Sequence, residues 1–205
     1  MTITAVEKVR DKGMVRVFID DSYAFSIPEV DYISNNLHEE MLISEEQVSI
    51  IRDKVLVRAA RERGVRYLTY RDRSENEILK KLIEAGFDAN VSQQAVNELK
   101  TIGYLDDTRY AMKYLSERIR TKALSKKTLG YELKNKGIDE NIIEKALSEF
   151  EIDDYEVALR ESKKKFGKYD INERKIEQKV YRFLLHRGFS YEIVNKVIRE
   201  MKANQ

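Results

Sequence analysis

Three glycines, Gly86, Gly137 and Gly188, stand at a constant interval of 51 residues, and each lies in the same frame of apolar residues. The apolar positions around them recur in register as Ile78, Leu82 and Phe87, as Leu129, Leu133 and Ile138, and as Val180, Leu184 and Phe189. Self-similarity at a fixed spacing of this size is the signature of a repeat protein. The sequence therefore predicts a mainly α fold, an extended array of three tandem three-helix repeats that offers a long surface rather than a deep pocket.

Each repeat glycine is expected to end a helix, because an apolar residue follows it as in a C-terminal glycine cap. Asp88, Asp139 and Ser190 come shortly afterwards and are predicted to be N-caps of the next helices. Ser74 and Glu77 have the spacing of a capping box at the start of the first repeat. The residues between these helix pairs leave room for one further helix in each repeat.

The N-terminal segment differs from the rest of the chain. Residues 4–9, 14–19 and 23–27 are short β-rich runs, separated by the turn signals Asp11-Lys12-Gly13 and Asp20-Asp21-Ser22. They predict a small β-meander, followed by a connector that leads to a helix start at Ser44. We expect the domains to be residues 1–56, 57–105, 106–152 and 153–205. The acidic first segment suits either a protein contact or a cap on the array.

Composition excludes several classes of function. The chain has no cysteine, which excludes disulfides and thiolate metal sites. It has no apolar run long enough to span a membrane and no secretory signal at its N-terminus. Its only histidines are His38 and His186, and no phosphate loop, metalloprotease helix or nucleophile elbow occurs. We therefore expect a soluble, cytoplasmic, monomeric protein that is not an enzyme, with no catalytic residue, no cofactor, no metal and no membrane contact.

Positive charge is concentrated in the middle repeat, where residues 109–137 hold 9 basic and 2 acidic side chains. The candidate DNA- or filament-binding residues of this basic island are Arg109, Lys113, Arg118, Arg120, Lys122, Lys126, Lys127, Lys134 and Lys136, with Tyr131 as a candidate for stacking on a base. Arg71 and Arg73, before the first repeat, complete the set. Such a patch suits a polyanion, since each neutralised phosphate releases counterions. A solvated helical face is the alternative, and it is favoured for the basic clusters of the first and third repeats, where acidic residues interleave.

Particular runs of residues resemble a known family. The run 73–82, the Gly-Tyr-Leu-Asp-Asp-x-Arg-Tyr-Ala run 103–111 and the run 129–138 are similar to repeats of the RecX family, and the resemblance covers about residues 57–202. It implies an inhibitor of the bacterial recombinase RecA that lies in the groove of the recombinase filament on DNA. Its expected effects are on ATP hydrolysis and strand exchange, in recombination, DNA repair and the SOS response. The implied partners are the RecA filament and single- and double-stranded DNA, the latter with salt-sensitive binding.

The chain departs from that family at residues 123–127, Ala-Leu-Ser-Lys-Lys, where the family often has a glycine followed by arginines. Lysine contacts phosphate as a point charge and lacks the bidentate fork of arginine. Two other hypotheses therefore stay open beside a filament modulator. One is a stand-alone DNA-binding repeat protein, and the other is a helical scaffold for a different protein partner.

Overall fold

The computed structural model describes residues 1–10 and 12–204 and is mainly helical. It divides into two compact units, Met1–Asp106 and Asp107–Gln205. The first unit begins with strands β1 (Ile3–Val9), β2 (Met14–Ile19) and β3 (Ser22–Pro28) and a short helix α1 (Glu29–Ser34). Helix α2 (Glu45–Ile50) continues through a π-helical segment (Ile51–Leu56) into α3 (Val57–Tyr70). The remaining helices are α4 (Glu75–Glu84), α5 (Ala89–Thr101), α6 (Asp107–Thr121), α7 (Lys126–Asn135), α8 (Glu140–Ser148), α9 (Asp154–Phe166), α10 (Arg174–Leu185) and α11 (Tyr191–Ala203).

The strands form the predicted antiparallel meander, in the order β1-β2-β3. The turn between β2 and β3 contains Asp20 and Asp21, both with positive φ, which short polar residues tolerate better than others. In the first predicted turn Gly13 has a φ of 62°, whereas Asp11 lies outside the described residues. The predicted helix start at Ser44 is confirmed by a capping box with Gln47.

Helices α3–α5, α6–α8 and α9–α11 correspond to one another at the 51-residue period, which confirms the predicted repeat of three helices. The glycines that follow α4, α7 and α10 have φ values of 105°, 79° and 80°. In each case the next residue donates its N–H to a carbonyl five residues earlier, as Phe87 does to Leu82 at 3.2 Å. This is the Schellman arrangement, so the predicted glycine caps are confirmed.

Two of the three predicted N-caps act as expected. Asp139 accepts from the N–H of Asn141, and Ser190 accepts from the N–H of Ile193. Asp88 occupies the N-cap position of α5, as predicted, but its side chain makes no capping hydrogen bond there. Its carboxylate instead accepts a hydrogen bond of 2.6 Å from the Tyr23 hydroxyl of β3. Tertiary packing brings this stronger O–H donor to the carboxylate, and the sheet is thereby tied to the first repeat.

A single hydrophobic core joins the sheet to the first repeat. Phe25 and Ile27 of β3 are fully buried in the same cluster as Ile78, Leu82 and Leu99 of the repeat. The sheet therefore covers apolar surface of the first repeat, as a cap on a repeat array must do. In the second unit, repeats 2 and 3 each have their own apolar cluster. Within the described residues, no helix combines the length and apolar character needed to cross a membrane.

Candidate nucleic-acid interface

Helix α6 carries a basic stripe on its outer face. Arg109, Lys113 and Arg120 are exposed and are spaced so that they lie on one side of the helix. Ala111 and Leu115, which are fully buried, occupy the opposite side and pack into the core of repeat 2. The amphipathic pattern of α6 thus holds these three cations away from the core.

Helix α7, also in repeat 2, has a second basic stripe on its exposed face. Lys127, Tyr131 and Lys134 follow one another at i, i+4 and i+7, opposite the buried Leu129 and Leu133. Tyr131 is 64% exposed, so its side chain faces outward. Its role in stacking stays a prediction. The ammonium of Lys134 lies 2.9 Å from the carboxylate of Glu140, and the hydrogen bond between them raises the pKa of Lys134.

The N-terminus of α7 is unusual because Lys126 and Lys127 occupy its first turn, with no acidic residue of its own there. The helix dipole makes positive charge unfavourable at this end, an effect typically of about 0.3–1 kcal/mol per charge. The corresponding residues of repeat 1 are Glu75 and Asn76, which suit that dipole. The stability of α7 therefore does not explain why lysines occupy these two positions.

A carboxylate from the third repeat offsets this charge. Asp154, the first residue of α9, accepts a hydrogen bond of 2.8 Å from the backbone N–H of Lys126. Burial raises the pKa of Asp154, and the bond from Lys126 acts in the opposite direction. Both lysine side chains remain exposed. Lys127, Arg120 and Lys122 have no carboxylate within ion-pair distance in the described part of the chain.

Arg118 is a member of the predicted basic island, but it points inward. Its Nε donates to the Tyr114 hydroxyl at 2.9 Å and lies 3.0 Å from the carboxylate of Glu132. The Tyr114 hydroxyl in turn donates to Glu132 at 2.8 Å, and burial raises the pKa of Tyr114. The charge of Arg118 is therefore largely compensated inside repeat 2, and this arginine offers less to an external anion than the exposed lysines.

Lys136 also belongs to this internal cluster. Its ammonium lies 5.8 Å from the centre of the Tyr110 ring and 5.3 Å from that of Tyr114. The two rings are stacked with their centres 6.1 Å apart. Cation–π contacts of this kind stabilise a half-buried lysine. The basic island thus consists of exposed stripes on α6 and α7, with a cation–aromatic cluster formed by Tyr110, Tyr114, Arg118, Glu132 and Lys136.

The two remaining candidates, Arg71 and Arg73, belong to the first unit and lie between α3 and α4. Arg71 is exposed, and its guanidinium is 3.8 Å from the carboxylate of Glu77. Arg73 is half-buried, and its Nε is a buried atom that has no hydrogen-bond partner among the described residues. Arg71 is the better placed of the two to reach an external ligand.

Sequence reasoning missed that equivalent positions of all three repeats hold a cation–aromatic cluster. In repeat 1 the cations Arg63 and Lys81 lie 5.8 and 5.4 Å from the centre of the Tyr67 ring. In repeat 3 Lys165 and Arg187 lie 4.4 and 3.8 Å from the centre of the Phe183 ring. The aromatic and the charged residues occupy different positions of the cluster in each repeat. A comparison of residue identities between the repeats therefore does not reveal the cluster. The signal is present only when charge and aromaticity are compared at the 51-residue period.

A second missed feature is the contact between repeats 2 and 3. The backbone N–H of Ser125 and the hydroxyl of Thr128 both donate to the carbonyl of Arg187, at 3.1 and 3.2 Å. The helix start of α7 is thus bonded to the turn that ends α10. Together with Asp154, this contact positions Lys126 and Lys127 relative to the third repeat.

The arrangement can bind a polyanion by charge complementarity. Among residues 1–10 and 12–204, no group of three or more His, Asp or Glu side chains is placed to hold a metal ion. The fold defines a class of protein in which a small sheet precedes three successive three-helix domains.

Comparisons with known proteins identify this class. Family models for the first, second and third three-helix domains of RecX match residues 60–99, 106–147 and 151–198. Regulatory protein RecX of Clostridium botulinum (strain Eklund 17B / Type B) is 30% identical over 203 residues, which cover 97% of this chain and 95% of the relative. Regulatory protein RecX of Bacillus pumilus (strain SAFR-032) is 30% identical over 193 residues, 93% of this chain and 73% of the relative.

Comparison with solved structures points to the same family. A crystal structure of regulatory protein RecX matches with a TM-score of 0.63 at 29% identity, covering 100% of this chain and 99% of the other. RecX from Lactobacillus salivarius matches with a TM-score of 0.62 at 26% identity, covering 73% and 98%. The chain belongs to the RecX family of regulatory proteins.

Proposed function

We propose that this protein is a non-catalytic modulator that inhibits the RecA recombinase. It binds the filament of recombinase on DNA and restrains ATP hydrolysis and strand exchange in recombination, DNA repair and the SOS response. Its place of action is the cytoplasm, and it acts as a monomer. The division of the chain at residues 57, 106 and 153 is part of the same proposal. Family membership supports a regulatory role, and the charged surfaces of repeat 2 support a partner that contains nucleic acid.

The observation that carries the proposal is the pair Lys126 and Lys127. Both side chains are exposed at a helix end where positive charge is unfavourable, and the same positions of repeat 1 are Glu75 and Asn76. Residues that oppose the stability of their own helix are expected where function requires them. Asp154 bonds only to the backbone N–H of Lys126 at this helix end, and a phosphate of DNA would add negative charge beside the two exposed ammonium groups.

The proposal is tested by adding the purified protein to recombinase assembled on single-stranded DNA, with ATP hydrolysis as the readout. We expect hydrolysis to fall as the protein is titrated, and the protein to co-sediment with the filament. The recombinase in the presence of bovine serum albumin at the same concentration is the control. Unchanged hydrolysis together with absence from the sedimented filament would contradict the proposal.

A stand-alone DNA-binding protein is the second candidate, favoured by the exposed stripes on α6 and α7. Binding to bare DNA is expected in either case. With about 6–10 phosphate contacts, the affinity should fall by roughly 10³–10⁵ between 50 and 200 mM salt. We expect a steep fall of this kind in fluorescence anisotropy. A flat response would remove direct phosphate contact from both candidates and would favour a scaffold for another protein.

Inhibition that persists at a salt concentration where bare DNA is released would separate the two candidates. It would show that contacts with the recombinase itself supply part of the affinity. Inhibition that disappears together with bare-DNA binding would favour the stand-alone DNA-binding protein.

A further inference from the structure

The third repeat contains a cleft of about 740 Å³ between the end of α9 and one face of α10. Its floor is formed by Phe166 and Phe183, whose rings meet edge to face with their centres 5.3 Å apart. Lys165 and Arg187 lie over the Phe183 ring, 4.4 and 3.8 Å from its centre. The cleft therefore combines aromatic surface with flanking positive charge, the two components that a nucleotide recognises.

The rim of the cleft is also basic. Lys179, Arg182 and His186 are exposed at spacings that place them on one side of α10. No acidic residue lines the cleft, and in the described residues neither Lys179 nor Arg182 has a carboxylate within ion-pair distance. A surface with several cations that no carboxylate of the described residues neutralises attracts an anion.

Part of this charge pattern is specific to the third repeat. The residues of repeat 1 that correspond to Lys179 and His186 are Glu77 and Glu84. In repeat 2 the carboxylate of Glu132 neutralises Arg118, and the corresponding residue of repeat 3 is Phe183. At Lys179, Phe183 and His186 the third repeat thus lacks a carboxylate that one of its sister repeats has at the equivalent position.

Two flat groups line this cleft. Tyr169 is 54% exposed at its edge. The guanidinium of Arg187 is half-buried and is supported on one side by the Phe183 ring. Bases stack on aromatic rings and on guanidinium planes, whereas an acidic peptide makes use of the cations alone. The combination favours a nucleic acid with unpaired bases over an acidic protein segment.

We propose that this cleft of the third repeat binds a nucleotide of single-stranded DNA. Lys179 and Arg182 contact its phosphates, and its base stacks at Tyr169 or Arg187. No residue of the stripes on α6 and α7 lines this cleft. It rests on the proposed function only in taking nucleic acid as a partner.

Binding of a short labelled oligothymidine, measured by fluorescence anisotropy without recombinase, tests the site. Arg182→Glu is compared with Arg199→Glu, because both arginines are exposed and each donates its Nε to a backbone carbonyl of its own helix four residues earlier. The two variants change the net charge equally. We expect Arg182→Glu to weaken binding by roughly tenfold or more and Arg199→Glu to weaken it much less. Equal losses would overturn the proposal.

Stacking is tested with the ring at position 169. Tyr169→Leu should weaken oligothymidine binding by roughly 5- to 100-fold, and Tyr169→Phe should restore most of the affinity. An abasic oligonucleotide of the same length should bind the wild type and Tyr169→Leu alike. A loss of equal size for abasic and base-containing strands would overturn the stacking role. Release of the oligothymidine by an equal concentration of polyglutamate would show that the cleft prefers an acidic peptide and would overturn the nucleotide site.

Failure of this site and failure of the proposed function are distinguishable, because the anisotropy assay contains no recombinase. A protein that binds oligothymidine through the cleft but leaves recombinase ATP hydrolysis unchanged would contradict only the proposed function. A protein that inhibits hydrolysis and binds oligothymidine equally well with or without Arg182→Glu would contradict only the cleft.

Discussion

Gly188→Ala is expected to destabilise the second unit by roughly 3–5 kcal/mol. Gly188 has a φ of 80°, which is already unfavourable for alanine, and an added Cβ would lie 1.8 Å from the Thr128 hydroxyl oxygen and 2.9 Å from that of Ser125. Relief of this overlap requires Thr128 to move, which breaks its hydrogen bond to the Arg187 carbonyl. Urea unfolding followed by circular dichroism measures the loss, with hydrogen exchange to locate it.

The control is Gly103→Ala. Gly103 has the same φ of 80°, but an added Cβ there meets no atom within 4 Å. Its expected loss is the backbone strain alone, about 1–2 kcal/mol. Gly103 and Gly188 belong to different compact units. The loss of stability in each variant is therefore measured from the hydrogen exchange of the unit that contains the substituted glycine.

A double variant separates the overlap from the strain. Thr128→Ala removes the hydroxyl that the new Cβ would meet, so Gly188→Ala should be less harmful in that background than in the wild type. We expect a coupling free energy of roughly 1 kcal/mol or more in this favourable direction. Strictly additive losses would mean that Thr128 does not oppose a side chain at position 188, and the contact between repeats 2 and 3 would need another explanation.

Lys126→Glu combined with Lys127→Glu is expected to abolish inhibition of recombinase ATP hydrolysis while helical content stays unchanged. Glutamate is compatible with the first turn of this helix, since Glu75 and Glu77 lie in the first turn of α4, the equivalent helix of repeat 1. The expected loss is therefore electrostatic, because two cations that we propose to face phosphate become two anions. Any residual inhibition should require a concentration of the protein that is at least roughly tenfold higher.

Two further variants sharpen this measurement. Lys163→Glu with Lys164→Glu makes the same change in net charge at a pair of exposed lysines in the last turn of α9, and it should leave inhibition largely intact. Lys126→Gln with Lys127→Gln removes charge without placing a carboxylate near Asp154, and it should weaken inhibition to an intermediate degree. Inhibition retained by both the glutamate and the glutamine pair would remove these lysines from the functional surface.

Repeat number, helix order and glycine caps are all predictable from the sequence, because each depends on local spacing. A helix end with a positive φ requires glycine, and an amphipathic helix requires apolar residues every three or four positions. Each repeat shows both patterns, with Gly86, Gly137 or Gly188 at the helix end and the same apolar positions before it. The exposure of Tyr131 follows from the same reasoning, since its equivalents in the other repeats are charged.

The candidate site is only partly predictable, since composition does not distinguish an exposed cation from one that is already paired. Arg118 and Lys127 look equivalent in the sequence, yet Arg118 is bonded to Tyr114 and Glu132 whereas Lys127 faces solvent. Asp88 has the position of an N-cap, but its partner is the hydroxyl of a tyrosine 65 residues earlier. Such pairings depend on which helices and strands become neighbours.

By itself, the sequence determined that this protein consists of an N-terminal sheet and three copies of one helical unit with a basic middle copy. Only the tertiary structure decided which of those cations face outward, that Thr128 bonds across 59 residues to the turn before Gly188, and that the third repeat holds an aromatic cleft. The physical reason is the separation along the sequence of the residues that interact. Caps and amphipathic faces arise from residues a few positions apart, whereas the neutralisation of a charge depends on side chains that meet only after the helices have packed.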